Sequence, residues 1–377
     1  MLRYDVSGAE VYVSSPRTAI SSIVVLKLDH IGDFLLTWRA FKSLREAFPD
    51  TEITLVCGAH NAGLAQTAAL FDHVVAYNYF ERDLQRNQRR ALDQILSGYF
   101  DLAIDCRHDA DTRHLLSGIH ARYRAGFFAP NIELDLSLPS MEVAPYDQMQ
   151  GVHAELRLQL LVAAVIATYG RPQKHPIQKL IASGVVEPQF SEQRYVVIAP
   201  GSGNELKNWP VNNYTLLAKR LTSQLGLSIV ILGSVHDMGL ARLLEAALPK
   251  HHVQNLVGST QLTDLPRLLQ GAAAYVGNDS GITHMAGLLN VPTLCIFAGV
   301  ADPQIWMPRG EQSVLIRYPV ACAPCKHSKP EFCKSNQRCT TSILIETVWA
   351  ELISLLDGQI SRHSLFGGAI PAGTEDR

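Results

Sequence analysis

Short runs of β-branched and aliphatic residues alternate with helix-spaced apolar patterns along this chain. The alternation breaks off once and then begins again. Ile23-Val-Val-Leu-Lys-Leu28, Ile53–Cys57, Val74–Tyr77 and Leu102–Asp105 read as buried strands, and Phe34, Leu35, Trp38, Phe41, Leu44 and Phe48 recur at helical spacing between the first two. Strands alternating with helices predict a parallel sheet covered on both faces. A long helix is predicted from Asp147 to Tyr169, stopped at Gly170-Arg-Pro172. Residues 171–193, with three prolines and a Ser-Gly pair, read as a linker.

Beyond the linker the pattern restarts. Tyr195–Ala199, Ser228–Leu232, Ala274–Val276 and Thr293–Phe297 read as strands. Val211–Leu225, Leu240–Leu248, Leu262–Gln270 and Thr283–Leu289 read as helices, and Thr341–Leu356 as a last amphipathic one. At 377 residues the chain exceeds what one core supports at ~150 residues per domain. The expected architecture is therefore α/β, with two doubly wound Rossmann-like domains facing a cleft. They span residues 1–175 and 190–340, followed by a helix over 341–357 and a disordered tail over 358–377.

Composition narrows the function classes. With 33 Lys+Arg against 35 Asp+Glu, the chain lacks the basic excess of a nucleic-acid binder. Seven cysteines are too few for a disulfide scaffold. The N-terminus has no basic region leading into an apolar run. The longest apolar stretch, Leu160–Ala167, falls short of the ~20 residues that span a bilayer. A cytoplasmic protein with reduced thiols is expected.

Three strand-to-helix turns carry chemistry. Asp29-His-Ile-Gly-Asp33 follows the first strand, where open α/β sheets bind ligands. Asp33 there is either a helix-terminal acid or a cleft carboxylate. One glycine is not a dinucleotide fingerprint, so no nicotinamide site is indicated. Pro200-Gly-Ser-Gly-Asn-Glu-Leu-Lys-Asn-Trp-Pro210 brings two glycines, the Ser202 hydroxyl and the Lys207 cation to one turn. That suits a phosphate, or is a plain strand–helix turn. Gly277-Asn-Asp-Ser-Gly-Ile-Thr-His284 places Ser280 and Gly281 at a helix start, with Asp279 able to meet sugar hydroxyls or cap the helix. His284 is either an anion donor or a satisfied core histidine. Two phosphate-type turns in one half together favour a nucleotide diphosphate.

In these motifs the chain resembles glycosyltransferase family 9, the lipopolysaccharide heptosyltransferases. The resemblance is carried in order by Val25–Thr37, Pro-Gly-Ser-Gly with Lys-Asn-Trp-Pro, Leu232-Gly-Ser, and Gly277–Gly287 followed by Val291-Pro-Thr. It implies a GT-B fold and inverting transfer of heptose from ADP-heptose, or a related nucleotide sugar, to a lipopolysaccharide inner-core acceptor. No catalytic metal is implied. The implied place of action is the cytoplasm, peripheral to the inner membrane at its cytoplasmic face.

By the same resemblance Asp33 is the general base. Ser202, Gly203, Ser280 and Gly281 hold phosphates, Lys207 neutralises the leaving group, and Asp279 and His284 lie on the donor side. The glutamate that the family often places after the Leu-Gly turn to bind ribose is missing. Here Asp237 or His236 stands in its place, and the position near Thr260 is not distinctive. Adenine is therefore carried by the resemblance alone.

On the acceptor side, Arg107 and Arg113 follow a strand end and suit an anionic oligosaccharide. Arg82, Arg86, Arg89 and Arg90 read better as a solvated helix face. Cys322-x2-Cys325-x7-Cys333-x5-Cys339 has ligand spacing for a closed structural zinc or iron site. A family subgroup that glycosylates autotransporter adhesins is similar in this respect. The alternatives are thus a protein heptosyltransferase, another nucleotide sugar as donor, or a catalytically inactive sugar-nucleotide binder, the last opposed by the presence of Asp33 and Lys207. Cys57, Cys106 and Cys295 lie in strand patterns and are expected in the core.

Overall fold

The structure is a computed structural model and describes residues 3–5, 10–12, 19–77, 79, 93, 97–130, 132–139, 152–170, 188–190 and 194–358. Most of the expected linker, the expected tail beyond Gly358, and Arg82, Arg86, Arg89 and Arg90 fall outside these residues. Contacts divide the chain into two compact units. One is Met1–Gly184 with the short segments Gln261–Leu265 and Gln304–Trp306, and the other is the remainder. A two-stranded antiparallel pair, β1 (Arg3–Asp5) and β2 (Glu10–Tyr12), precedes the main sheets.

The first unit holds a six-stranded parallel sheet. Its strands are β3 (Ser22–Lys27), β4 (Glu52–Cys57), β5 (His73–Ala76), β6 (Tyr99–Asp105), β7 (His120–Phe127) and β8 (Leu136–Leu138), in the order β5-β4-β3-β6-β7-β8. The second unit repeats the plan with β9 (Tyr195–Ala199), β10 (Ser228–Ile231), β11 (Val253–Asn255), β12 (Ala274–Asn278), β13 (Thr293–Ile296) and β14 (Ser313–Ile316). Their order is β11-β10-β9-β12-β13-β14, again parallel throughout. Both are the doubly wound order in which neighbouring crossovers diverge at one point. That point lies between β3 and β6 in the first unit and between β9 and β12 in the second. The α/β class and the two doubly wound sheets are as expected.

Burial explains the strands. β9, β10, β12 and β13 are buried at every position, as strands covered on both faces must be. Around them the second core gathers Val196, Ile198, Tyr214, Leu217, Leu221, Val348 and Leu352. Helix ends follow local chemistry. The helix Val211–Leu225 stops at Gly226, whose φ of 64° is left-handed. The N–H groups of Gly226 and Leu227 return to the carbonyls of Thr222 and Leu221, both at 3.2 Å.

The structure departs from the sequence reading at several places. The single helix expected over residues 34–48 is two, Ile31–Leu36 and Trp38–Ala47. The break falls at Thr37, whose hydroxyl donates back to the Asp33 carbonyl at 3.1 Å. The helix ending at Tyr169 is described from Ala154, where the His153 ring accepts from the Glu155 N–H. Strands β7, β8, β11 and β14 were not expected. Three of them are sheet edges, short and only partly buried. No helix among the described residues is long and apolar enough to cross a membrane.

Candidate functional site

In the second unit the exits of β9 and β12 converge on one ion pair. Lys207 lies in the short helix Glu205–Lys207, which Asn204 starts by accepting from the Leu206 N–H at 3.0 Å. Its ammonium donates to Asp279 Oδ2 at 2.6 Å. Asp279 directly follows β12 and is 6% exposed. Burial alone would raise its carboxyl. The His284 contact and the Lys207 charge outweigh burial and hold it below the usual carboxylate range. His284 Nε2 stands 3.5 Å from Asp279 Oδ1, while its buried Nδ1 has no hydrogen-bond partner among the described residues.

The flanking turns hold the serines and glycines expected to meet phosphates. Ser202 Oγ lies 2.7 Å from the Asn204 carbonyl and 2.8 Å from Asn208 Oδ1. Gly203 is exposed beside it. Ser280 is the extended residue before the helix Gly281–Leu288 and makes no side-chain cap. Its hydroxyl instead meets Thr283 Oγ1 at 3.1 Å, so the first-turn N–H groups are left without a side-chain acceptor. Lys207, Asp279, Ser280, Gly281, His284, Ser202 and Gly203 thus all belong to two adjoining strand exits at the divergence point of one sheet.

The position expected to meet a ribose is partly spent. Asp237 Oδ2 accepts from the Ser234 N–H at 2.8 Å and the Ser234 hydroxyl at 2.9 Å, closing its own capping box. A Cβ built on Gly201 would overlap the Asp237 carboxylate, so glycine there allows the β9 and β10 exits to touch. His236 is exposed.

In the first unit Asp33 sits half-buried in the first turn of Ile31–Leu36, and His30 occupies the cap position without capping the helix through its side chain. Asp33 is therefore a first-turn acid and not the capping side chain. The turn that carries it rests on buried charges. Lys27 is fully buried, donates to the Cys106 carbonyl at 3.0 Å and pairs with Asp29 at 2.7 Å. Asp29 also pairs with Arg107, whose guanidinium further binds Asp111 at 2.6 Å and Asp109 at 2.8 Å. Asn61 Nδ2 donates to the Asp29 carbonyl at 2.9 Å, with His60 Nε2 at 3.1 Å from the same oxygen.

These contacts bear on the two arginines expected on the acceptor side. Arg113 is completely buried and pairs with the equally buried Asp105 at 2.7 Å. Arg107 is divided among three carboxylates. Both guanidinium groups are committed inside the unit, and Arg113 shows no face to a ligand. Burial pushes the Asp105 carboxyl upward against the pull of Arg113, the Arg107 N–H and the Thr112 hydroxyl.

Two residues escaped the sequence reading. Arg157 is 1% exposed and its Nη2 donates to the Val152 carbonyl at 2.6 Å, but Nε and Nη1 have no hydrogen-bond partner among the described residues. Near it His108 is half-buried, and its buried Nε2 is also unpartnered among the described residues. Burial and the surrounding Lys27, Arg157, Arg113 and Arg107 charges hold that imidazole well below its usual range, and therefore neutral. A signal existed: Arg157 falls on the face of Ala154–Tyr169 that otherwise buries Leu158, Leu161 and Val165.

The four cysteines of residues 322–339 are free thiols, running from exposed Cys322 to buried Cys339. Cys322 and Cys333 lie 3.5 and 3.7 Å from Ser335 Oγ. The Gln337 N–H lowers the Cys333 thiol. Burial raises Cys339, and Cys333, Cys325 and Cys322 add to that. Among the described residues no group of three or more His, Cys, Asp or Glu side chains is set as a metal site. Cys57, Cys106 and Cys295 are buried, and burial pushes the thiols of Cys57 and Cys106 up to about 12.

The Asp105–Arg113 pair generates a stability prediction. Arg113→Met should cost ~3–5 kcal/mol by stranding a buried carboxylate, and adding Asp105→Leu should recover most of the loss. Urea unfolding checks both. A single variant as stable as the double would show that the pair is not charged.

Residues 89–335 match the sequence model of glycosyltransferase family 9 (heptosyltransferase). The lipooligosaccharide heptosyltransferase 2 of Haemophilus influenzae is 31% identical over 132 residues, 34% of this chain and 38% of that protein's own length. Its counterpart from Haemophilus ducreyi is 23% identical over 311 residues, 78% of this chain and 88% of its own. The solved structure of E. coli heptosyltransferase WaaC with ADP shares the fold at a TM-score of 0.68 and 18% identity, covering 89% of this chain and 99% of that one. The family model spans more than half of the chain, with strands β6–β8 of the first sheet, the whole second sheet and the strand exits that carry Lys207 and Asp279, and on that ground the chain belongs to glycosyltransferase family 9.

Proposed function

We propose that this glycosyltransferase moves a heptose from ADP-heptose to an anionic lipopolysaccharide core acceptor, with inversion and without a catalytic metal, at the cytoplasmic face of the inner membrane. The Lys207–Asp279 ion pair at the β9 and β12 exits carries the reading. It supplies a cation fixed beside a helix start that has no side-chain cap, the arrangement a departing diphosphate needs. In this reading Asp33 takes the proton of the acceptor hydroxyl as its oxygen attacks the anomeric carbon. The bond to the diphosphate breaks on the opposite side. Lys207, Ser202, Gly203, Ser280 and Gly281 meet the charge that develops on the leaving group, and Asp279 with His284 holds Lys207 and the sugar side of the donor. Arg157, which pairs with no carboxylate among the described residues, and His108 fit an acceptor anion better than Arg107 and Arg113, which carboxylates already hold. A buried guanidinium is costly unless something pairs it.

A second reading concerns the thiols. Ser335 stands between Cys322 and Cys333, and Cys339 responds to the other three. Four soft donors at this spacing suit a structural zinc or iron, although in their arrangement here they are not set as a metal site; such a metal accompanies a protein acceptor in the alternative function. Elemental analysis of protein purified without added metal should find about one equivalent, lost in Cys322→Ser/Cys325→Ser. Metal-free, fully folded protein would remove this reading.

Thermal shift against ADP-, UDP- and GDP-linked sugars tests the donor, with ADP-heptose expected to stabilise most. Asp33→Ala should lower the rate of transfer ~10²–10⁴-fold and leave ADP affinity nearly unchanged. Turnover like that of the unmutated protein would take Asp33 out of the chemistry.

A further inference from the structure

Asn278 is the last residue of β12, with its side chain fully buried and every polar position of that side chain occupied. Oδ1 accepts from the Trp209 N–H and the Tyr214 hydroxyl, both at 2.9 Å. Nδ2 donates to the Pro200 carbonyl at 2.8 Å and has the Gly201 carbonyl at 3.5 Å and Asn208 Oδ1 at 3.4 Å as further acceptors. A carboxamide is the one side chain of this size that presents two acceptor and two donor positions in a plane. Leucine would fill the space with neither function, and aspartate would turn a lone pair toward the Pro200 carbonyl.

The partners make this more than a satisfied core amide. Pro200 and Gly201 are where β9 opens into the first phosphate-type turn. Asn208 and Trp209 directly follow Lys207, and Asp279, which holds the Lys207 ammonium, directly follows Asn278. Asn208 passes the constraint on, since its Oδ1 also lies 2.8 Å from Ser202 Oγ. Trp209 is locked from its other side by an Nε1 bond to the Ile343 carbonyl at 3.0 Å. Two successive residues of one strand end therefore set both the backbone that follows Lys207 and the position of its charged tip.

We propose that Asn278 is a positioning residue for transfer, clamping the β9 turn and the Lys207 loop so that the ammonium and the turn amides meet the donor's diphosphate together. This rests on the donor reading above. Asn278 touches no reacting atom, and its effect passes through Lys207.

Calorimetry with ADP, amide hydrogen exchange over residues 201–209 and thermal unfolding test it, using the full chain. Asn278→Ala leaves the Pro200 carbonyl and the Trp209 N–H without their buried partner. ADP affinity should fall about tenfold and exchange over 201–209 should rise. In a Lys207→Ala background the same change should weaken ADP by no more than about twofold, because positioned groups that act as a unit are not additive. Equal losses in the two backgrounds, or unchanged exchange over 201–209, would overturn the proposal. Should Asn278→Ala fail to fold, Asn208→Ala cuts the same clamp at a half-buried position, and undiminished ADP affinity there is likewise fatal. If the unmutated protein does not bind ADP, the donor reading falls, while hydrogen exchange still decides whether Asn278 holds the loop.

Discussion

Asp279 must stay charged where almost no water reaches it, and the β9 and β12 exits of the second unit are arranged around that requirement. A lone buried carboxylate would take up a proton at several kcal/mol. Here the Lys207 ammonium and the His284 ring oppose desolvation, and the group is held below its usual range. The pair works in both directions. Lys207 gains a fixed position at a strand exit, and the cation keeps enough exposure, at 24% of its side chain, to meet a second anion. A fully buried pair would have no such capacity left.

The first unit shows what that capacity looks like when it is used up. Lys27, Arg107 and Arg113 are cations like Lys207, but each is closed within the unit by a carboxylate at the β3 or β6 exit. Their work is to fix the Asp29–Asp33 turn against β6. Breaking such pairs is expensive, so they serve poorly as ligand clamps that must exchange partners. Arg157 differs because, among the described residues, its side chain bonds only to a backbone carbonyl. Burial then lowers the affinity of that guanidinium for its proton, which an arriving anion would reverse.

What the sequence disclosed follows from which contacts are local. The central strands β3, β4, β9 and β13 were readable because burial on both faces leaves unbroken apolar runs. β7, reading His-Ala-Arg-Tyr-Arg-Ala-Gly-Phe, was not, since its exposed first half carries charge on an otherwise strand-like alternation. The three turns were legible as positions where glycine, serine and acids follow a strand. Their internal pairing was not. Asp29 meets Arg107 from 78 residues away, Lys207 meets Asp279 from 72, and Asn278 meets Pro200 from 78. Periodicity and spacing carry no information over such separations. Arg113 shows why: a basic residue at a strand end looks the same in sequence whether it faces solvent or a buried aspartate.

The cysteine-bearing loop belongs to the same rim as the Lys207 turn. Leu206, one residue before Lys207, packs in an apolar cluster with Ala298, Val300, Cys339, Cys325 and Cys333. Asn204 Nδ2 donates to the His327 carbonyl at 2.9 Å, and the Cys325 and Lys326 N–H groups reach the Gly299 and Val300 carbonyls at 2.9 Å. A Cβ on Gly299 would press on Val320, Ala323 and Cys339 at 3.1 to 3.2 Å, so this approach leaves no slack. The Lys207 turn is thereby gripped on one flank by the polar clamp of Asn278 and on the other by apolar packing against the β13 exit. Regular secondary structure is unnecessary there. Two unlike contacts at adjoining residues remove the rotations that a long surface lysine would otherwise keep, and ordering it before any ligand arrives lowers the entropy lost on binding.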